Sequence, residues 1–223
     1  AVHMLIADKW TDYELIDAGD SEKIERWGST VLQRPDPQAI WPKGIWQKPA
    51  GHYIRSSEGG GRWQKLSPFP AEWVIGYKMP QGFLRLSVEP TGFKHTGIFP
   101  EQAVNWEFMA ELIEDSVEEG KNPKILNLFA YTGAATSACA LAGAYETVHV
   151  DASKGMNMKA KKNAELSGLS DKYIRFITED VNKFVDRELR RGRLYDGIVM
   201  DPPSYGRGPG GELWKLEDEL FGM

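Results

Sequence analysis

The chain has 223 residues, 41% of them hydrophobic, and a formal net charge of -5, which suffices for one large core or a large and a small one and argues against a protein that coats nucleic acid through bulk charge. No apolar run approaches the roughly 18–20 residues that cross a bilayer, and residues 1–20 are too mixed and charged for a signal peptide, so no membrane partner is expected. The lone cysteine, Cys139, excludes an intramolecular disulfide framework and suits a reducing cytoplasm, and no Cys/His cluster has the spacing of a metal site.

Ala1-Val2-His3-Met4 reads as an expression-vector remnant, outside any fold. Residues 5–91 are rich in Pro, Gly and Trp and read as a small β-rich domain. Six of the eight tryptophans are here: Trp10, Trp27, Trp41, Trp46, Trp63 and Trp73. Tyr13–Ala18, Val31–Arg34, Glu72–Lys78 and Phe83–Glu89 read as strands between turn signals, and the glycines at 59–61 as a loop tip. The tryptophans are expected to fill a small core rather than to stack bases.

Residues 92–223 read as a second domain. Val104, Phe108, Leu112, Ile113 and Val117 suit an amphipathic helix over 101–119, ended by Gly120 and Pro123. Strands and helices then alternate. Lys124–Phe129, Thr147–Asp151, Ile174–Thr178 and Asp196–Met200 read as strands. Ala134–Ala142, Met156–Ser167 and Val181–Arg191 read as helices between them. Apolar strands alternating with helices specify a parallel sheet covered on both faces, a Rossmann-like, doubly wound α/β fold. Two basic clusters, Lys154/Lys159/Lys161/Lys162 and Arg187/Arg190/Arg191/Arg193, read as solvated helix faces. The chain ends inside a further helical pattern, Glu212–Phe221.

The chemistry gathers at the strand ends. Asn127-Leu128-Phe129-Ala130-Tyr131-Thr132-Gly133 closes the first strand, and small residues follow. Gly133 permits a tight turn. The stretch is neither Gly-x-Gly-x-x-Gly nor a P-loop, so it suits a cofactor without phosphates. The second strand ends in Asp151-Ala152-Ser153, where an acid can accept from both hydroxyls of a ribose. Glu179-Asp180-Val181 follows the third, where an acid can accept from an adenine amino group. The fourth stops at Asp201-Pro202-Pro203-Ser204-Tyr205, because proline cannot continue a ladder. A lone acid at a strand end is often only a cap, but four consecutive ends of this kind are hard to ascribe to capping.

On these residues the stretch from about 92 to 221 resembles class I S-adenosylmethionine-dependent methyltransferases. It is most similar to the group of bacterial large-subunit ribosomal RNA enzymes of the cytosine-C5 and guanine-N7 kinds. Phe129–Gly133 resembles the cofactor loop, and Asp201–Gly206 the substrate loop, usually written with Phe in place of Tyr205. Lys94-His95-Thr96-Gly97-Ile98-Phe99-Pro100-Glu101-Gln102 resembles the segment packed over the cofactor. The resemblance implies S-adenosyl-L-methionine as cofactor and an RNA substrate, most naturally ribosomal, in the cytoplasm. It implies Phe99, Gln102, Asn127, Phe129–Gly133, Asp151–Ser153, Asp180 and Val181 for the cofactor, and Asp201–Tyr205 for the acceptor. Cytosine chemistry needs a cysteine nucleophile, and Cys139 reads as a buried small hydrophobe. Family members continue with three more strands, so the sheet is expected to be C-terminally incomplete here. A small-molecule or protein acceptor, or an RNA-binding module with a vestigial cofactor fold, stands as the alternative.

Overall fold

A computed structural model describes residues 5–57, 60–92, 94–207 and 213–219. The expected vector remnant at 1–4, Gly59, and the end of the expected Glu212–Phe221 helix lie outside the described residues. The chain divides into two compact units. One holds the chain up to Lys78 together with Arg85–Gln102; the other holds Met79–Leu84 and the chain from Ala103 onward.

The first unit carries a five-stranded sheet in the order β1 (Tyr13–Gly19), β2 (Glu22–Trp27), β3 (Thr30–Pro35), β4 (Gly51–Arg55), β5 (Gly61–Lys65). Only the β3–β4 pairing is parallel. Asp20 and Ser21, at φ 50° and 62°, form the two-residue turn between β1 and β2, the left-handed geometry that matches strand twist. β6 (Trp73–Met79) and β7 (Gly82–Val88) pair separately. Trp27, with Ile24, Leu32 and Tyr53, makes the core. The indole N–H groups of Trp73 and Trp10 donate to the carbonyls of Trp27 and Pro100, each at 3.0 Å. Trp41 departs from the core expectation and is 53% exposed.

The second unit opens with α1 (Ala103–Glu118), after a 3-10 turn at Pro100–Gln102 that belongs to the first unit. The helix is where expected, but its buried face is not. Ala103, Trp106, Ala110 and Ile113 are buried, whereas Phe108 and Leu112 are each 55% exposed and Val117 is 40% exposed. Steps of three, four and three residues place the buried set on one stripe. Its alanines allow close packing, a feature that a stripe of bulky residues conceals.

β8 (Lys124–Leu128), β9 (Glu146–Asp151), β10 (Ile174–Thr178) and β11 (Gly197–Met200) form a parallel sheet in the order β10-β9-β8-β11. Between them run α2 (Ala134–Leu141), α3 (Lys154–Leu166) and α4 (Val181–Arg190). This is the expected Rossmann-like arrangement. Leu126, Leu128, Val148 and Val150 pack on Val181 and Phe184. Ala140, Ala164 and Leu169 form a second cluster.

Two expectations are corrected. The arginines at and after the end of α4 are not merely solvated. Arg193 meets Glu146, itself 2% exposed at the side chain, at 2.6 Å, and Arg187 meets Glu179 at 2.6 Å. A carboxylate as buried as that of Glu146 is tolerated only when paired. At the chain end the described residues do not make a continuous helix. Leu213–Lys215 is a strand, β13, paired antiparallel with β12 (Tyr205–Arg207), and only Leu216–Glu219 is helical, as α5.

Candidate active site

The parallel register aligns the strand ends. Thr178 lies opposite Asp151, Val150 opposite Leu128, and Leu128 opposite Met200. Hence the segments that begin at Glu179, Asp151, Phe129 and Asp201 leave one sheet edge side by side. At about 4.8 Å per strand spacing the row is about 14 Å wide.

Asp151 sits at the centre of this row. Its Oδ2 accepts from the Tyr131 N–H at 2.9 Å and its Oδ1 from the Ser153 N–H at 2.8 Å. Each oxygen keeps a further acceptor site, so the carboxylate can still take two hydroxyl protons. Burial raises its pKa above the ordinary carboxylate value, while these two N–H groups oppose the rise.

The loop that Asp151 holds is conformationally unusual. Phe129 and Tyr131 have φ 54° and 51°, and Gly133 has φ 78°. Two non-glycine residues in the left-handed region are uncommon and mark functional loops. The Ala130 N–H donates to the Val150 carbonyl at 3.0 Å, and the Gly133 N–H to the Ala130 carbonyl at 3.0 Å. A Cβ on Gly133 would fall 2.7 Å from the Ala160 Cβ. Gly133 therefore serves close packing of the loop on α3 as well as the turn.

A buried polar layer supports the row. Asn127 donates to the Thr136 hydroxyl at 2.9 Å, and Thr136 lies 2.8 Å from His149 Nδ1. Burial pushes the His149 pKa down to about 3, so it stays neutral. From α3, Asn157 donates to the carbonyls of Asp151 at 3.0 Å and Ile177 at 3.2 Å, and to the Thr178 hydroxyl at 2.8 Å. Asn163 donates to the Thr132 carbonyl at 2.9 Å. Sequence reasoning missed Asn157, Asn163, Thr136 and His149. Asn157, Ala160, Asn163 and Ala164 recur at helical spacing, and that stripe of small and amide residues was the available signal.

Ala152 is half-buried, and Ser153 is the N-cap of α3, accepting from the Met156 N–H at 3.3 Å. Asp180 is the N-cap of α4, accepting from the Lys183 N–H at 3.1 Å. Val181 is buried beneath it. Asp201, Pro203 and Ser204 are exposed, Pro202 half-buried. Tyr205 opens β12 rather than continuing the loop, because its backbone pairs with Lys215. Phe99 and Gln102 belong to the first unit, where the Gln102 N–H donates to the Phe99 carbonyl at 3.0 Å and the Phe99 ring lies 5.3 Å from that of His95. Cys139 is fully buried, and burial pushes its thiol up to about 12. Among the described residues no group of three His, Cys, Asp or Glu side chains is placed to hold a metal ion.

The donor set fits a nucleoside cofactor without phosphates. Asp180, Asp151 and Asp201 stand at the ends of three of the four strands, and the Phe129–Gly133 loop between the last two lacks the glycines and lysine of a phosphate cradle. Comparison with known proteins agrees. The chain is 33% identical over 149 residues to ribosomal RNA large subunit methyltransferase K/L of Shewanella sp. (strain MR-4), an alignment covering 66% of the chain and 19% of that protein. It is 33% identical over 124 residues to ribosomal RNA large subunit methyltransferase I of Aeromonas hydrophila, covering 56% and 30%. The chain thus spans well under half of these curated relatives. The crystal structure of a SAM-dependent methyltransferase from Agrobacterium tumefaciens superposes with a TM-score of 0.88 at 38% identity, covering 99% of this chain and 69% of that one. The family described as S-adenosylmethionine-dependent methyltransferase matches residues 63–211, which takes in the whole row of strand ends, and the chain belongs to that family.

Proposed function

We propose that the chain transfers a methyl group from S-adenosyl-L-methionine to a base in ribosomal RNA. The observation that carries this reading is the row of Asp180, Asp151, the Phe129–Gly133 loop and Asp201 along one sheet edge. The names of the K/L and I relatives support the ribosomal acceptor.

When bound, the cofactor supplies an electrophilic methyl group on a sulfonium, so the protein's work is position and orientation. Asp151, ionised, accepts from the ribose hydroxyls. Asp180 accepts from the adenine amino group, with Ala152, Ser153 and Val181 lining that end. The backbone of Phe129–Gly133 receives the methionine part. The Asp201–Ser204 turn faces the acceptor. Pro202 and Pro203 restrict the turn, and the Asp201 carboxylate orients an exocyclic amine by accepting its proton. Cys139, buried and protonated, is not placed to add to a cytosine ring.

Calorimetry with S-adenosylhomocysteine tests the cofactor half; no heat of binding would exclude it. Mass mapping of ribosomal RNA from a deletion strain tests the acceptor half. An unchanged map would move the acceptor to a small molecule or a protein.

A further inference from the structure

A row of three side chains runs beneath the strand ends. Phe176, His149 and Asn127 lie opposite one another on β10, β9 and β8. His149 stands two residues before Asp151, so the row runs about 7 Å below the sheet edge. The His149 ring is fully buried and lies 5.3 Å from that of Phe176. Its Nδ1 is 2.8 Å from the Thr136 hydroxyl, which also accepts from Asn127 at 2.9 Å. Thr136 is the third residue of α2, and Gly133 is the N-cap of that helix. A Cβ on Gly133 would fall 3.3 Å from His149 Cε1. One imidazole therefore bonds the first turn of α2 and lies against the last residue of the Phe129–Gly133 loop.

This ring is costly to keep. Its Nε2 is buried and makes no hydrogen bond of proper geometry among the described residues, and neither does the Asn157 Oδ1. Asn157 and the Tyr131 backbone favour the charged ring, but burial prevails and keeps it neutral. A buried polar atom without a partner costs stability that an apolar ring in the same space would not. The supports of the strand ends are also divided. Asn157 holds the Asp151 carbonyl and the end of β10, the side assigned above to adenosine. The Asp151 carboxylate has its own donor in the Ser153 N–H. His149 and Thr136 hold the start of α2, on the side of the loop.

We propose that His149 is a positioning residue for the methionine part of the cofactor, setting the Tyr131–Gly133 backbone through Thr136 and Gly133, an inference that rests on the cofactor placement above. It acts through the loop rather than on the ligand. An apolar side chain would fill the space but leave the Thr136 hydroxyl and the first turn of α2 untied from β9. Asn163 still holds the Thr132 carbonyl, so the loop then shifts without being released.

The test compares two ligands by calorimetry on the full chain. S-adenosylhomocysteine carries the amino-acid part; 5′-methylthioadenosine carries the adenine, ribose and sulfur without it. His149→Leu and Thr136→Val should each weaken S-adenosylhomocysteine about 3- to 10-fold, the scale of one lost hydrogen bond, and leave 5′-methylthioadenosine within about twofold. His149→Asn, whose amide reaches the place of Nδ1, should restore most of the loss. Asp151→Asn should weaken both ligands, since both carry the ribose. Equal loss of the two ligands in the His149→Leu and Thr136→Val variants, or loss of neither, would overturn the positioning role. If thermal melts show His149→Leu unfolded, Thr136→Val, which removes one hydroxyl and keeps the ring, decides alone. A wild-type chain that binds the two ligands equally would remove the methionine part from the loop and the proposal with it. One that binds neither would overturn the cofactor reading itself.

Discussion

The side-chain amide of Asn157 reaches the backbone carbonyl of Asp151 across 3.0 Å and, with its second hydrogen, the end of β10 at Ile177 and Thr178. One buried residue of α3 thus ties together the two strand ends that lead to Asp151 and Asp180. Asn157 is 6% exposed, so its own amide makes these bonds out of reach of bulk water.

Asn157→Ala should therefore cost about 1–3 kcal/mol of stability, the range for orphaned buried acceptors. It should also weaken S-adenosylhomocysteine about tenfold by releasing Asp151. Asn157→Asp keeps the shape but offers only acceptors, and should be at least as damaging. Denaturant melts and calorimetry read the two effects. Wild-type affinity in Asn157→Asp would mean that the strap does not set the position of Asp151.

Gly133 is constrained twice, by φ 78° and by the 2.7 Å approach its Cβ would make to the Ala160 Cβ. The left-handed conformation alone costs an alanine about 1–2 kcal/mol, and the clash with a helix adds to it. Gly133→Ala should lower the melting midpoint by several degrees and loosen the cofactor loop. The double variant Gly133→Ala/Ala160→Gly removes the clash but not the strain, so it should recover part of the loss. No recovery would show that packing on α3 is unimportant there.

Asp151 gives a pH signature. Its folded-state pKa lies above the ordinary aspartate value, first because of burial. A raised carboxylate pKa means the unliganded fold gains from protonation, so its contribution to stability is present in acid and lost as pH rises. Cofactor binding has the opposite sign, because the ionised form accepts the ribose hydroxyls. S-adenosylhomocysteine affinity should fall as pH drops through the raised pKa, at a higher pH than an ordinary aspartate would give. Asp151→Asn should bind weakly and flatten this profile. A wild-type profile that stays flat through that range would remove Asp151 from the ribose.

Asp201 separates binding from transfer. It is exposed at the end of β11, two strands away from Asp151 in the sheet order. Asp201→Ala should leave S-adenosylhomocysteine affinity within about twofold and reduce methyl transfer about 100-fold, the scale of one positioned proton acceptor. Equal loss of binding and transfer would instead make it part of the cofactor pocket.

How much of this was legible depended on which face a residue buries. β8 to β11 could be read because a parallel sheet covered on both sides demands unbroken apolar runs, and each run ends abruptly in an acid or a turn. β2 could not. Its Glu22-Lys23-Ile24-Glu25-Arg26-Trp27 pattern looks like a solvated segment, yet Glu25 is buried at 0% exposure because Arg34 neutralises it. The same blindness hid Asn157 and Asn163, since a buried amide on a helix looks like a surface residue until its acceptors are known. The large residues of α1 pointed to the wrong stripe because close helix packing selected Ala103 and Ala110.

The Glu25–Arg34 pair offers the final prediction. Burial alone would raise the Glu25 pKa, but Arg34, Lys23 and the Tyr13 hydroxyl prevail and hold it below the ordinary glutamate value. A depressed carboxylate stabilises the fold above its unfolded pKa and loses that contribution as pH falls through the folded value. The first unit should accordingly lose stability as pH falls below the ordinary glutamate range toward the depressed folded value. Arg34→Met strands the carboxylate and should cost about 3–5 kcal/mol at neutral pH. The sign of the pH dependence should then invert, because Lys23 at 3.7 Å and the Tyr13 hydroxyl remain but lose to burial, which favours the protonated form. Glu25→Leu/Arg34→Met, apolar at both positions, should be markedly more stable than Arg34→Met alone. Melts of the three proteins at pH 5 and pH 8 decide it. If Arg34→Met were most stable at pH 8, Glu25 would not be the group that the pair exists to neutralise.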